Sequence, residues 1–145
     1  MEKLSLQSLM HAMTTGVKLV YVVSDNERFT EGIVTETAAR AAEAGAPYVW
    51  TCTDGFTRGG TLVPETVEPL AALDFALAQP GPAIFLMKDL AAFWQANPRL
   101  VRKLKSFAAD TRAKAPTAVN QRRRVNGFRP ERTSSNAFEK LFADP

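Results

Sequence analysis

The chain has 145 residues, 46% of them hydrophobic and 23% charged, which is the composition of one globular domain with a single core. The one cysteine, Cys52, excludes an internal disulfide and favours a reducing compartment. The start of the sequence lacks the features of a signal peptide, and no apolar run approaches the roughly 20 residues that a membrane span needs. These observations predict a cytoplasmic protein without a membrane partner.

The net charge of +3 comes entirely from the last fifth of the sequence. Residues 1–114 carry 12 basic and 12 acidic side chains, whereas residues 115–145 carry six and three. Hydrophobic periodicity also fades from Ala115 onward. We therefore predict an α/β domain over residues 1–114 and a basic, irregular and flexible tail over residues 115–145.

The first part of the chain reads as a helix, a strand and a second helix. Apolar residues at helical spacing between Leu6 and Met13 predict the first helix. Residues 19–23 are apolar throughout, which is typical of a strand covered on both faces. Ser24 and Glu27 have the spacing of a capping box, so we predict a helix over residues 26–44.

The middle of the chain reads as a strand over residues 48–52, a loop over residues 53–64 that holds Asp54-Gly55 and Gly59-Gly60, and a helix that begins near Pro69. A third apolar strand covers residues 83–87. A short helical stretch over residues 90–95 follows. Asn97 and Pro98 then have the residue types of an N-cap and the first position of another helix.

Alternating strands and helices predict a small, mostly parallel sheet of three or four strands flanked by helices. Such a sheet has two open edges, and an open apolar edge invites pairing with another chain. We therefore expect another protein, or a second copy of this chain, to pair with a sheet edge.

Five segments of the sequence carry a resemblance to a known family. They are VYVV at 20–23 with Glu27 and Arg28 after it, PYVWT at 47–51, TRGG at 57–60, PLAAL at 69–73 and PAIFLMKD at 82–89. In order and spacing the chain resembles the N-terminal domain of AAA-family ATPases of the kind first named from a conserved chloroplast reading frame. The resemblance implies a degenerate P-loop NTPase-like α/β domain that in the family precedes an ATPase module. Because this chain turns instead into its basic tail, we expect a form truncated before that module, and the alternatives are a frame-disrupted relative and a free-standing version of the domain.

Nucleotide hydrolysis by this chain alone is not predicted. The P-loop pattern G-x-x-x-x-G-K-[ST] is absent from the sequence, and the first strand-to-helix turn contains Asp25 and Glu27, which repel phosphate. We expect no cofactor, and ATP with magnesium only if the activity of the family is retained.

Acidic residues follow each predicted strand. If the strands are parallel, Asp25, Glu27, Asp54 and Asp89 lie near their carboxyl ends, where α/β sheets bind ligands, so these four are the candidate ligand-binding residues. The alternative is that they only cap helices. Cys52 is expected to be buried and His11 exposed, so neither a metal cluster nor a histidine-based catalytic site is predicted.

Three functions remain open on the sequence. The leading interpretation is a non-catalytic interaction or regulatory domain. The first alternative is an ATP-binding or ATPase-related protein that acts only with a partner module. The second is a nucleic-acid-binding accessory protein, in which the basic side chains of the tail contact phosphates, namely Arg122, Arg123, Arg124 and Arg129.

Overall fold

The structure of the chain is a computed structural model that describes residues 2–41, 44–110, 115–123 and 138–143. Over these residues the chain forms five helices and eight strands. The helices are α1 (Leu6–Thr14), α2 (Glu27–Arg40), α3 (Pro69–Leu77), α4 (Ala91–Trp94) and α5 (Pro98–Ala108). The strands are β1 (Glu2–Lys3), β2 (Leu19–Val23), β3 (Tyr48–Thr51), β4 (Gly55–Arg58), β5 (Thr61–Leu62), β6 (Ile84–Lys88), β7 (Thr117–Arg122) and β8 (Lys140–Ala143).

All eight strands belong to one mixed sheet, in the order β1-β8-β2-β7-β6-β3-β4-β5. Neighbouring strands from β1 to β3 run parallel, and β4 and β5 are added antiparallel at one end. The predicted α/β class with a mostly parallel sheet is confirmed. The predicted count of three or four strands was too low, because β1, β4, β5, β7 and β8 lack continuous apolar runs as long as those of β2 and β6.

Helices cover both faces of the sheet, which explains why β2 is apolar at every position. Leu19, Tyr21 and Val23 belong to the core under α3, α4 and α5. Val20 and Val22 point to the opposite face and belong to the core under α1 and α2. Successive side chains of a strand point to opposite faces, so a strand between two helical layers needs apolar residues in both registers.

Two helices begin at asparagine caps. Asn26 Oδ1 accepts from the N–H of Phe29 at 3.0 Å, so the cap of α2 is Asn26 and the capping box predicted for Ser24 and Glu27 is corrected. Asn97 caps α5 as predicted, with Pro98 at its first position. None of the helices within the described ranges is long and apolar enough to cross a bilayer.

The segment predicted as a loop over residues 53–64 instead contains β4 and β5. The hairpin between them turns at Gly59 (φ 57°) and Gly60 (φ 83°), and two central residues with positive φ are what a tight two-residue hairpin needs. The pair of glycines next to an alternating sequence is a hairpin signal, and loop composition alone does not reveal the two short strands.

The strand β7 corrects the prediction of an irregular tail. It lies between β2 and β6, and its residues 117–121 are all buried. Three of these are polar, Thr117, Asn120 and Gln121, so the strand carries no apolar run. The short strand β8 likewise pairs with β1 and β2. Residues 124–137, with the predicted Arg124 and Arg129, lie outside the described residues.

Candidate functional site

The carboxyl ends of the parallel strands β2, β7, β6 and β3 meet at one edge of the sheet, where the sequence predicted a ligand site. Asp25 and Glu27 follow β2, Asp89 follows β6, and Asp54 follows β3 in the turn to β4. The structure therefore places all four predicted acidic residues at this edge.

The four acidic residues are nonetheless spread along the edge. Between β2 and β3 lie two other strands, which amounts to three strand spacings or about 14 Å. Within the described ranges, no three His, Cys, Asp or Glu side chains are grouped so that they could hold a metal ion. Binding of a ligand by these carboxylates stays a prediction.

The turn from β2 to α2 is closed by its own side chains. The buried Ser24 accepts at Oγ from the N–H of Asn26 at 3.0 Å, and its own N–H donates to the carbonyl oxygen of Arg122 at 2.9 Å. Gln121 Nε2 donates to the carbonyl oxygen of Ser24 at 3.0 Å. The N–H of Asn26 and the carbonyl oxygen of Ser24 are therefore engaged within the protein.

A recess of about 460 Å³ lies in front of this turn and is lined by Ser24, Asp25, Glu27, Gln121 and Arg123, among others. Both acidic and basic side chains line it, so its charge selects neither an anion nor a cation.

The lysine at the end of β6 is committed to an ion-pair cluster. Lys88 Nζ lies 2.8 Å from Glu31 Oε2 and 3.7 Å from Glu27 Oε2, and the lysine side chain is only 17% exposed. The two carboxylates on α2 thus neutralise the charge of this lysine. This contact joins α2 to the sheet.

Of the four arginines predicted to contact nucleic acid, Arg122 is an integral part of the sheet. It ends β7 and pairs in register with Val23. Burial raises the pKa of the Tyr21 phenol above its ordinary value, and the hydrogen bond and positive charge of Arg122 partly offset that rise. Arg123 follows the strand and is exposed. The arginines are therefore not a uniform solvated run.

The two edges of the sheet differ in chemistry. At the β1 edge both residues are charged, and Glu2 Oε1 lies 2.6 Å from Lys140 Nζ of the neighbouring strand. At the other edge the outermost strand, β5, exposes 62% of Leu62, and the segment that follows exposes 47% of Val67. Charge protects an edge against pairing, whereas an exposed apolar edge does not.

The β5 edge stands on a firmly anchored hairpin. The indole N–H of Trp50 donates to the carbonyl oxygen of Thr66 at 2.7 Å, and Thr66 Oγ1 accepts from the N–H of Phe56 at 2.8 Å. Arg58 donates to the carbonyl oxygens of Ala44 and Ala46, each at 2.9 Å. These bonds attach β4 and the segment after β5 to the rest of the domain.

Arg58 also stacks on an aromatic ring at this hairpin. Its guanidinium carbon lies 4.5 Å from the centre of the Tyr48 ring, and Nη1 donates to the Tyr48 hydroxyl at 3.1 Å. Arg58 belongs to one of the segments that carried the family resemblance, and its contacts assign it a structural role there.

The remaining chemically reactive side chains do not form a site. Cys52 is exposed in the turn after β3, which corrects the expectation that it is buried, because the strand ends one residue before it. His11 is exposed on α1, as expected. The two residues lie on different elements.

A comparison with known families places the chain. The family described as SpoVK-like AAA ATPase, N-terminal domain, matches residues 4–125, which extend through all of β7. No curated protein matches the chain. The resemblance to an AAA N-terminal domain is thereby confirmed, and the chain belongs to the family of SpoVK-like AAA ATPase N-terminal domains.

Proposed function

We propose that the chain is a non-catalytic interaction domain that docks onto another protein through the β5 edge of its sheet. An extended segment of the partner adds to β5 by main-chain hydrogen bonds, and its side chains contact Leu62 and Val67. The observation that carries this proposal is the outer edge of β5, which pairs with no further strand among the described residues and exposes 62% of Leu62.

The β2–α2 turn supports the non-catalytic part of the proposal. In a P-loop the backbone N–H groups of this turn cradle phosphates and a lysine neutralises them. Here Asn26 and Ser24 occupy the turn with internal hydrogen bonds, and Lys88 at the end of β6 is held by Glu27 and Glu31. These contacts favour a structural role for the turn.

Strand addition fits the β5 edge for an energetic reason. Association loses free energy when loops and side chains must be ordered, so a preorganised edge binds a strand at a lower entropic cost. The contacts of Trp50, Thr66 and Arg58 fix the hairpin in advance. The opposite edge carries Glu2 and Lys3 and is disfavoured by its charge.

Site-specific photo-crosslinking compares the two edges directly. A photoreactive residue replaces Leu62 in one protein and Lys3 in another, and both are expressed in the native host. We expect one discrete crosslinked protein from position 62, with the linkage mapped to an extended segment, and none from position 3. Equal crosslinking from both edges, or none from position 62, would contradict the proposal.

The alternative partner at the β5 edge is a second copy of this chain. Sedimentation across a wide concentration range, with the variant Leu62→Lys as the control, separates it from docking to a different protein. A dimer that the lysine abolishes would identify a second copy as the partner.

The nucleotide alternative is supported by the family, because its description names the N-terminal domain of an ATPase. Titration with ATP and magnesium tests it, and binding at micromolar ligand would replace the interaction proposal.

The nucleic-acid alternative now rests on Arg123 and on residues outside the described ranges. Removal of residues 124–137 should leave nucleic-acid affinity unchanged if that alternative is wrong.

A further inference from the structure

The exposed face of α5 carries a stripe of three cations. Arg99, Arg102 and Lys105 follow one another at intervals of three residues, and all three are exposed. Lys103 is different, because its Nζ lies 2.7 Å from Asp74 Oδ1 on α3. In the described part of the chain, none of the three stripe side chains makes an ion pair or a hydrogen bond.

One end of the stripe opposes the electrostatics of its own helix, whereas Lys105 in the last turn is favourably placed. Arg99 lies at the second position of α5, and the first turn holds no acidic residue. The N-terminus of a helix bears partial positive charge, so a cation there is unfavourable and an acidic residue would stabilise the helix. An acidic residue in place of Arg99 would therefore make the helix more stable. A cation at such a position is typical of a surface whose charge serves a binding function.

Two grooves flank the stripe, and Arg102 lines both of them. The groove toward α4 has a volume of about 650 Å³ and is lined in part by Trp94, Pro98 and Val101. The groove toward α3 has a volume of about 440 Å³ and includes Leu70 and Pro98. Cationic groups thus stand beside apolar walls large enough to accept a side chain of a partner.

We propose that this α5 surface binds an acidic protein segment that carries apolar side chains between its carboxylates. The carboxylates pair with Arg99, Arg102 and Lys105, and the apolar side chains enter the two grooves. Arginine suits this role because its planar guanidinium binds a carboxylate with two parallel hydrogen bonds.

A protein segment fits the surface better than nucleic acid does. The stripe spans six residue steps of a helix, or about 9 Å, which is short for a track along a phosphate backbone. The apolar walls formed by Trp94, Val101 and Leu70 have no counterpart on a sugar–phosphate chain.

The α5 surface uses residues other than those of the β5 edge. A labelled synthetic peptide that alternates glutamate with leucine is the probe, with polyglutamate of equal length and a single-stranded oligonucleotide as comparisons. Fluorescence anisotropy should show saturable binding of one peptide per chain. Polyglutamate should bind about tenfold more weakly, because it cannot fill the grooves. Leu62→Lys should leave the affinity unchanged, which separates this proposal from docking at β5.

The helix N-termini offer a matched pair of variants. Arg28 occupies the second position of α2, after an asparagine cap, as Arg99 does in α5, but α2 covers the opposite face of the sheet. Arg99→Glu and Arg28→Glu change the net charge equally. Arg99→Glu should raise the Tm by about 2 °C, whereas Arg28→Glu should change it less, because repulsion from Glu27 and Glu31 offsets the gain from the helix dipole. Of these two variants, only Arg99→Glu should weaken peptide binding, by about tenfold. A third single variant, Arg102→Glu, should weaken peptide binding more than Arg99→Glu does.

Three results would overturn the proposal. The first is no peptide binding at millimolar concentration, and the second is an equal loss of affinity in Arg28→Glu and Arg99→Glu, which would mean that only net charge matters. The third is a higher affinity for the oligonucleotide than for the peptide, which would assign the stripe to nucleic acid. The Tm values show that each variant is folded, so a loss of binding is not a loss of structure.

Discussion

Gln121 Nε2 donates a 3.0 Å hydrogen bond to the carbonyl oxygen of Ser24, although 97 positions separate the two residues in sequence. The bond joins the end of β7 to the turn that follows β2, and both side chains are almost completely buried. The first strand-to-helix turn, which in a P-loop domain would face a phosphate, is therefore fastened from the neighbouring strand.

Replacement of Gln121 by leucine should destabilise the protein, since it leaves a buried carbonyl oxygen without this donor. Gln121 Oε1 is also buried without a hydrogen-bond partner in the described structure, so its removal offsets part of the cost, and we expect a loss of about 1 kcal/mol in the free energy of unfolding. Urea denaturation of Gln121→Leu measures it, and Gln7→Leu on the exposed surface of α1 is the control, with an expected change within about 0.5 kcal/mol. Equal stability of the two variants would show that the bond contributes nothing.

Asn120 should be a position at which a polar side chain lowers stability. It is 2% exposed in the centre of the sheet, and neither atom of its amide has a hydrogen-bond partner in the structure as described. Asn120→Leu should raise the free energy of unfolding by about 1 to 2 kcal/mol, because an unsatisfied buried amide is costly. Asn120→Asp should lower it. A loss of stability in Asn120→Leu would mean that the amide has a bound partner in solution.

Gly55 should not tolerate a side chain. Its φ is 74°, and a Cβ atom there would lie 2.7 Å from Thr66 Oγ1 and 2.9 Å from the Thr66 backbone carbon. We expect Gly55→Ala to cost about 2 to 3 kcal/mol, from backbone strain and this clash together. Gly32→Ala is the matched control, because Gly32 lies inside α2 with open space around it, and it should gain up to about 1 kcal/mol. Thermal unfolding of the two variants gives the comparison.

Stability should decline at alkaline pH through Tyr21. Burial raises the pKa of this phenol above its ordinary value of 10.0, with a partial offset from Arg122. The unfolded chain therefore loses the phenolic proton at a lower pH than the folded protein does. The stabilising effect is complete below about pH 10 and is lost as pH rises through the higher pKa of the folded state.

Urea denaturation at several values between about pH 9 and pH 11 measures this decline. Tyr21→Phe removes the phenol and should show a weaker dependence on pH over the same range than the parent does. Parallel curves for the two proteins would exclude Tyr21 as the source.

The sequence alone determined the elements whose signals are local. The continuous apolar runs of β2 and β6, and the N-cap Asn97 with Pro98 after it, are legible because each depends on neighbouring residues only. The resemblance to the family also came from short contiguous segments. The exposed Leu62 could have been found as well, since Gly59-Gly60 between alternating residues is a hairpin signal.

Tertiary structure alone decided the place of β7 and the state of the strand-to-helix turn. Thr117, Asn120 and Gln121 carry no apolar periodicity, and β7 is a strand because the edges of β2 and β6 supply hydrogen bonds on both of its sides. The acidic residues at the strand ends were placed at one edge correctly, but their separation depends on strand order, which a sequence pattern does not encode. The pairing of Lys88 with Glu31 follows from the same long-range packing.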